Sequence, residues 1–288
     1  MSTKNGSGQT GDNAGSHQDR LTRVFMAGTA VIEIARNSQR ARIARRGAKL
    51  VGLQGADGSE RMWQGDLETF VYTSPLFFPV VDCLSAGSAL VEGARAPMRL
   101  HGVAKDAIFD IVAHDTESCL LQWVPGPGEL PCYPCEFGLG VGFAFDGCGL
   151  TQTVTVTNRE PDRPLPFNIA FHPAFVARWD SGGSCQVHFP DDDTLTLNHG
   201  RGEFRSDESG LVDLNNRRLD ITAQDLISGA LMFGGLRSDN VSATLPGWGA
   251  ALGLSFQSMG CLAFWRHPKV HSCASSHGYT CQDRRANW

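Results

Sequence analysis

The 288-residue sequence has no apolar stretch approaching the roughly 20 residues that a membrane-spanning helix needs, which argues against a membrane partner. It also lacks a basic-then-apolar leader. Residues 1–19 are dominated by Ser, Thr, Gly, Asn, Asp and Gln, too polar to bury a surface of their own. Residues 1–24 are therefore expected to form a disordered polar tail, and the missing export signal points to the cytoplasm. No basic stripe is present to meet nucleic acid, and the formal net charge is −5. The densest basic run, Arg40, Arg42, Arg45 and Arg46, alternates with Ala41 and Ile43 in the manner of a solvated strand face. The nine cysteines are odd in number and irregular in spacing, which excludes a secreted disulfide framework. Cys132-Tyr133-Pro134-Cys135 has no second pair to complete a zinc site, and the Gly-rich run after it reads as strand rather than a redox helix. No metal and no cofactor are expected.

Helical periodicity is likewise missing, and residues 223–233 offer a turn or two at most. What is there reads as strands. Val31–Ile34, Ala41–Ala44, Lys49–Leu53, Ile108–Val112, Leu120–Val124, Gly140–Phe145, Gln186–Phe189, Thr194–Leu197, Val241–Leu245, Ala251–Phe256 and Leu262–Trp265 are short apolar or alternating runs. Leu150–Asn158 is the clearest, with period-two alternation and β-branched side chains. Turn residues separate these runs, with 33 Gly and 14 Pro in the chain. Many short strands joined by turns, with no internal linker or repeat, predict an all-β protein. Its fold class is a large antiparallel β-sandwich, with residues 25–288 as one domain.

Polar residues interrupt the apolar pattern at a few places. One is Leu100-His101-Gly102-Val103-Ala104-Lys105-Asp106, and another is Phe171-His172-Pro173-Ala174-Phe175. A third runs from Trp63-Gln64-Gly65-Asp66 to Ser74-Pro75-Leu76-Phe77-Phe78-Pro79, and a fourth from Phe264 to Gly278. A histidine in an apolar run is either a satisfied core residue or a catalytic one. The tryptophans and phenylalanines nearby suit a sugar face and an ordinary core equally.

Taken in order, these segments resemble the aldose 1-epimerase (mutarotase) family over about residues 29 to 280. Gly47-Ala48-Lys49-Leu50 matches a Gly-Ala-x-Leu strand, and Trp63–Asp66 a Trp-Gln-Gly-Asp segment. Pro75–Pro79 matches Pro-x-Leu-Phe-Pro with a Phe in the Leu place, and His101–Asp106 matches His-Gly-Phe-Ala-Arg-Asp with two changes. Tyr133–Phe137, Leu150–Asn158 and His172-Pro173-Ala174-Phe175 complete the set. The resemblance implies a galactose mutarotase-like supersandwich and a small-molecule sugar substrate, an aldose that is free or phosphorylated. The reaction it implies is interconversion of α and β anomers, with no metal, because proton transfer to a ring oxygen requires none.

By the same resemblance His172 is the acid at the ring oxygen and His101 polarises that region of the sugar. Histidine suits both directions of the reaction because its ordinary pKa is about 6.5. Lys105, Asp106, Trp63, Phe78, Tyr133, Ser275 and His277 are the implied substrate-binding residues. Lys105 stands where the family has Arg and lacks the bidentate fork. The implied base is a Glu near the C-terminus, yet Ser275 occupies that place and no Glu follows Glu208. Three readings stay open: a substitute base at His277, His271 or Asp283; sugar binding or sensing without efficient catalysis; or an altered C-terminal sequence. A phosphorylated substrate would need a basic cluster at the rim, for which Lys105, Arg99 and Arg266 are candidates.

Overall fold

The computed structural model describes residues 30–267 and 273–279, apart from residues 67, 85–86, 92–93, 148, 202–203 and 258. The tail at 1–24, His271 and Asp283 lie outside the described residues. Within them the regular secondary structure is almost entirely strand, with two short 3-10 turns and no α-helix. No helix among these residues is long and apolar enough to cross a membrane.

Strand β1 (Val31–Arg36), β2 (Gln39–Ala44) and β3 (Lys49–Gln54) form an antiparallel meander. Ile32 and Ile34 of β1 and Ala41 and Ile43 of β2 point inward, while Arg40 stays outside, the alternation that the β pleat imposes. Strand β4 (Leu76–Phe77) precedes the β5–β6 hairpin (Ser88–Val91 and Ala94–Pro97). Next come β7 (Asp110–His114), β8 (Ser118–Trp123), β9 (Phe137–Phe145) and β10 (Leu150–Asn158), paired in the order β10-β9-β8-β7. Phe137, Leu139, Val141, Phe143 and Phe145 of β9 are buried. Strand β10 has the bounds its alternation predicts.

The remaining strands are β11 (Ala170–Phe171), β12 (Ala174–Val176), β13 (Ser184–His188), β14 (Thr194–Arg201), β15 (Phe204–Asp213), β16 (Arg218–Thr222), β17 (Leu231–Gly234), β18 (Asn240–Thr244), β19 (Leu252–Ser255), β20 (Cys261–Trp265) and β21 (Cys273–Tyr279). Four of them form a sheet in the order β16-β13-β18-β19. The largest sheet runs β15-β14-β17-β20-β21-β11-β4, with β12 also on β21. One core cluster collects Ile32 and Ile34, Leu121, Phe143, Val187, Phe233 and Phe264 from the four larger sheets. Each large apolar side chain so buried contributes about 1.5–3 kcal/mol. The fold is a large antiparallel β-sandwich.

Two segments differ from the sequence reading. Strand β7 begins two residues later than the apolar run at Ile108 suggests, because all five of its residues are exposed and no inward face marks its start. Strand β21 carries Ser, His and Cys rather than an apolar pattern. It is a strand because β20 pairs on one side of it and β11 and β12 on the other.

Candidate active site

Four adjacent strands of the largest sheet carry the site. Phe77 lies on β4, His172 directly follows β11, Trp265 ends β20, and β21 runs between β20 and β11. Strand β4 pairs with β11 so that Phe77 is opposite Ala170. A parallel bridge between Phe78 and Gly102 then draws the His101 turn against β4.

Gly102 is required for that approach. Its φ is +73°, and a Cβ there would stand 2.1 Å from the Phe78 carbonyl oxygen, which accepts the Val103 N–H at 2.8 Å. The bridge holds His101 itself at a φ of 61°. The imidazole stacks on Phe77, with ring centroids 3.8 Å apart and 5° between planes. Its Nδ1 accepts the Asp82 backbone N–H at 3.0 Å, and the His101 backbone N–H donates to the Asp82 carbonyl at 3.1 Å. Because Nδ1 is an acceptor, a neutral His101 carries its proton on Nε2. Burial, and then the charge of Lys105, push its pKa down to about 4, so the ring is neutral at neutral pH.

His172 is 5% exposed. Its backbone N–H donates to the Pro75 carbonyl at 3.2 Å. The ring meets Phe77 edge-on at 5.3 Å, Phe70 at 5.6 Å and Trp265 at 5.8 Å. The two imidazoles therefore share one phenylalanine, Phe77. Phe70 is placed by Trp63, whose indole N–H donates to the Phe70 carbonyl at 2.8 Å while its backbone N–H donates to the Ala174 carbonyl at 2.8 Å.

Lys105 belongs to the 3-10 turn Ala104–Asp106 and is 7% exposed. Its ammonium donates to the Gly102 carbonyl at 3.1 Å and lies 3.5 Å from the Asp106 carboxylate. Lys49, at the start of β3, is buried beside this pair and sits 5.6 Å over the Tyr72 ring. Burial first, and then Arg46 and Lys105, lower the Lys49 pKa, while Asp106 raises it.

Of the residues that the sequence groups together, His101, His172, Lys105 and Asp106 converge here, with Trp63 behind them as a support for Phe70. Phe78 and Tyr133 do not. Phe78 is 0% exposed and packs on Tyr133, Phe137 and Phe167, facing away from the two imidazoles. Tyr133 is 3% exposed, its hydroxyl donates to the Pro166 carbonyl, and burial drives its pKa upward. Both are core residues, because consecutive residues leave a strand on opposite sides and Phe77 takes the side of the site. Ser275 pairs in register with Ala174 and with Trp265, and His277 with Ala263. The register that pairs Phe171 with Gly278 and Ala174 with Ser275 carries the His172 backbone past His277.

Sequence reasoning missed Lys49, Phe70 and Tyr72 as members of the site. Lys49 was visible only as the variable position of its motif, and residues 70 and 72 lie in a stretch with no pattern. Arg266 is buried and its Nε has no hydrogen-bond partner among the described residues, whereas Arg99 is exposed. Cys132 and Cys135 form no disulfide, and no cluster able to hold a metal ion occurs among the described residues.

Known proteins with this architecture point one way. The family model for aldose 1-epimerase matches residues 30–265. Protein LacX (plasmid) of Lactococcus lactis subsp. lactis is 24% identical over 235 residues, covering 76% of this chain and 77% of that protein. Among solved structures, a galactose mutarotase-like protein from Lactobacillus casei ATCC 334 superposes with a TM-score of 0.79 at 22% identity, over 88% of this chain and 90% of its own. A galactose mutarotase related enzyme from Lactobacillus acidophilus gives a TM-score of 0.80 at 19% identity, over 87% and 85%. At these identities the two structures speak for the fold.

Proposed function

The chain belongs to the aldose 1-epimerase family, and we propose that it interconverts the α and β anomers of an aldose by acid–base opening of the pyranose ring. The observation that carries this reading is the meeting of two imidazoles on the single ring of Phe77. His101, neutral and with Nδ1 occupied by the Asp82 N–H, has Nε2–H left to donate to a sugar oxygen. It polarises the ring oxygen without giving up its proton, and His172 supplies the proton that opens the ring. Phe70 and Trp265, both partly exposed, offer ring faces and edges to the sugar C–H groups. Lys105 and Asp106 orient the hydroxyls.

The base for the C1 hydroxyl is the departure from the family pattern. A serine hydroxyl at position 275 does not accept a proton at neutral pH without a base behind it. His277 lies on the same strand and its backbone runs past that of His172, which makes it the substitute base in this reading. Ser275 also favours a second reading, a carbohydrate-binding or sensing protein without efficient catalysis. Loss of a general base costs about 10²–10⁴-fold in rate, a severe loss against a reaction that also proceeds unaided.

Saturation-transfer NMR or polarimetry with glucose and galactose separates the two. Accelerated anomerisation that His172→Ala reduces at least about 10²-fold supports the epimerase. Sugar binding with no acceleration in the unaltered protein supports the second reading.

A further inference from the structure

The chain contains four lysines, at positions 4, 49, 105 and 269. The two that lie within the described residues, Lys49 and Lys105, are 8% and 7% exposed and lie within electrostatic reach of one another. Lysine is seldom buried, because desolvating an ammonium is costly unless an anion faces it. Two buried ammonium groups whose charges act on one another compound that cost. Lys105 has Asp106 at 3.5 Å and the Gly102 carbonyl at 3.1 Å. Lys49 has neither: among the described residues no carboxylate lies within ion-pair reach of it and no acceptor takes its hydrogen bond, only the Tyr72 face. Asp106 is thus the one carboxylate set against Lys49, Lys105 and the exposed Arg46, whose guanidinium donates to the Asp106 backbone carbonyl at 3.2 Å.

The fold builds this arrangement. Gly47, at a φ of +72°, lets the start of β3 lie against the 3-10 turn, where a Cβ would stand 2.5 Å from the Lys105 carbonyl oxygen. The cationic pair is also continuous with the candidate active site. From His101 the contacts run through Phe77, His172, Phe70 and Tyr72 to Lys49. They return through Lys105, whose charge acts on His101 and whose ammonium holds the carbonyl of Gly102. Among the described residues Asp106 is the carboxylate whose charge acts on both buried ammonium groups, so a neutral sugar adds nothing to balance the second of them.

We infer that Lys49 and Lys105 form an anion subsite of the proposed sugar site, and that the substrate is an aldose bearing a carboxylate or phosphate group. The inference rests on the epimerase family reading for the sugar itself, and Lys49 is the specificity-determining residue it adds. Calorimetry with glucose, glucuronate and glucose 6-phosphate, repeated with the galactose series, measures the preference, and the carboxylate and phosphate arms distinguish the source of the charge.

The unaltered protein is expected to bind at least one anionic sugar ten-fold or more tighter than its neutral parent, with an advantage that shrinks as salt rises. Lys49→Gln is expected to lower the anionic-to-neutral affinity ratio at least ten-fold, and Lys49→Arg to restore most of it. Equal or weaker binding of both anionic sugars by the unaltered protein overturns the inference, and that result does not depend on any variant folding. An unchanged ratio in a Lys49→Gln protein with unaltered melting also overturns it. Anomerisation rates on the same samples keep the two readings apart. Acceleration of neutral aldoses with no anionic preference leaves the epimerase standing and removes the subsite. Tight anionic binding without acceleration keeps the subsite and favours the sensing protein.

Discussion

His101 shows how one backbone interaction sets the chemistry of a residue. The Asp82 N–H takes Nδ1, burial lowers the pKa to about 4, and the imidazole becomes a fixed neutral donor. This has a consequence for stability. The unfolded ring titrates at about 6.5, so between about pH 6.5 and 4 the unfolded chain binds the extra proton. Stability is therefore lost as pH falls through that window and is not lost further below it. The upper limit is about 3 kcal/mol, and solvent reaching the half-buried ring lowers it. His101→Asn keeps an acceptor for the Asp82 N–H and tolerates the positive φ. It is expected to flatten the dependence of the urea midpoint on pH between 4 and 6.5, and an unaltered slope would contradict the depressed pKa.

At the scale of elements, β21 is the strand on which the proposed catalysis turns. Hydrogen bonded to β20 on one side and to β11 and β12 on the other, it places Ser275 in register with Ala174, two residues beyond His172. If position 275 is where the family's base belongs, Ser275→Glu should raise the anomerisation rate by about 10²-fold or more. Measured by saturation transfer, no gain in a well-folded variant would show that the base comes from elsewhere on the chain. Strand β4 makes a related point on a smaller scale. Phe77 faces the imidazoles and Phe78 the core, although the sequence presents them as equivalent neighbours.

Across the whole molecule, one core joins the sheets, and Phe78 belongs to it together with Tyr133, Phe137 and Phe167. Phe78→Ala is expected to cost about 3–5 kcal/mol in urea unfolding. Phe77, 1% exposed, is expected to cost a comparable amount on truncation, and Phe77→Ala should in addition lower sugar turnover, because both imidazoles pack on that ring. An unfolding cost near zero for Phe78→Ala would return that residue to the sugar site. The sequence by itself determined the all-β architecture and the strand at Leu150–Asn158, because the period of two is a local property of the pleat. It also marked His101 and His172, because polar residues within apolar runs stand out without any knowledge of the fold. Only the tertiary structure decided which aromatic residues flank those histidines, that Lys49 comes within electrostatic reach of Lys105, and that a polar C-terminal segment is a central strand. Those outcomes depend on register and on contacts between residues tens to hundreds of positions apart, which no local pattern records.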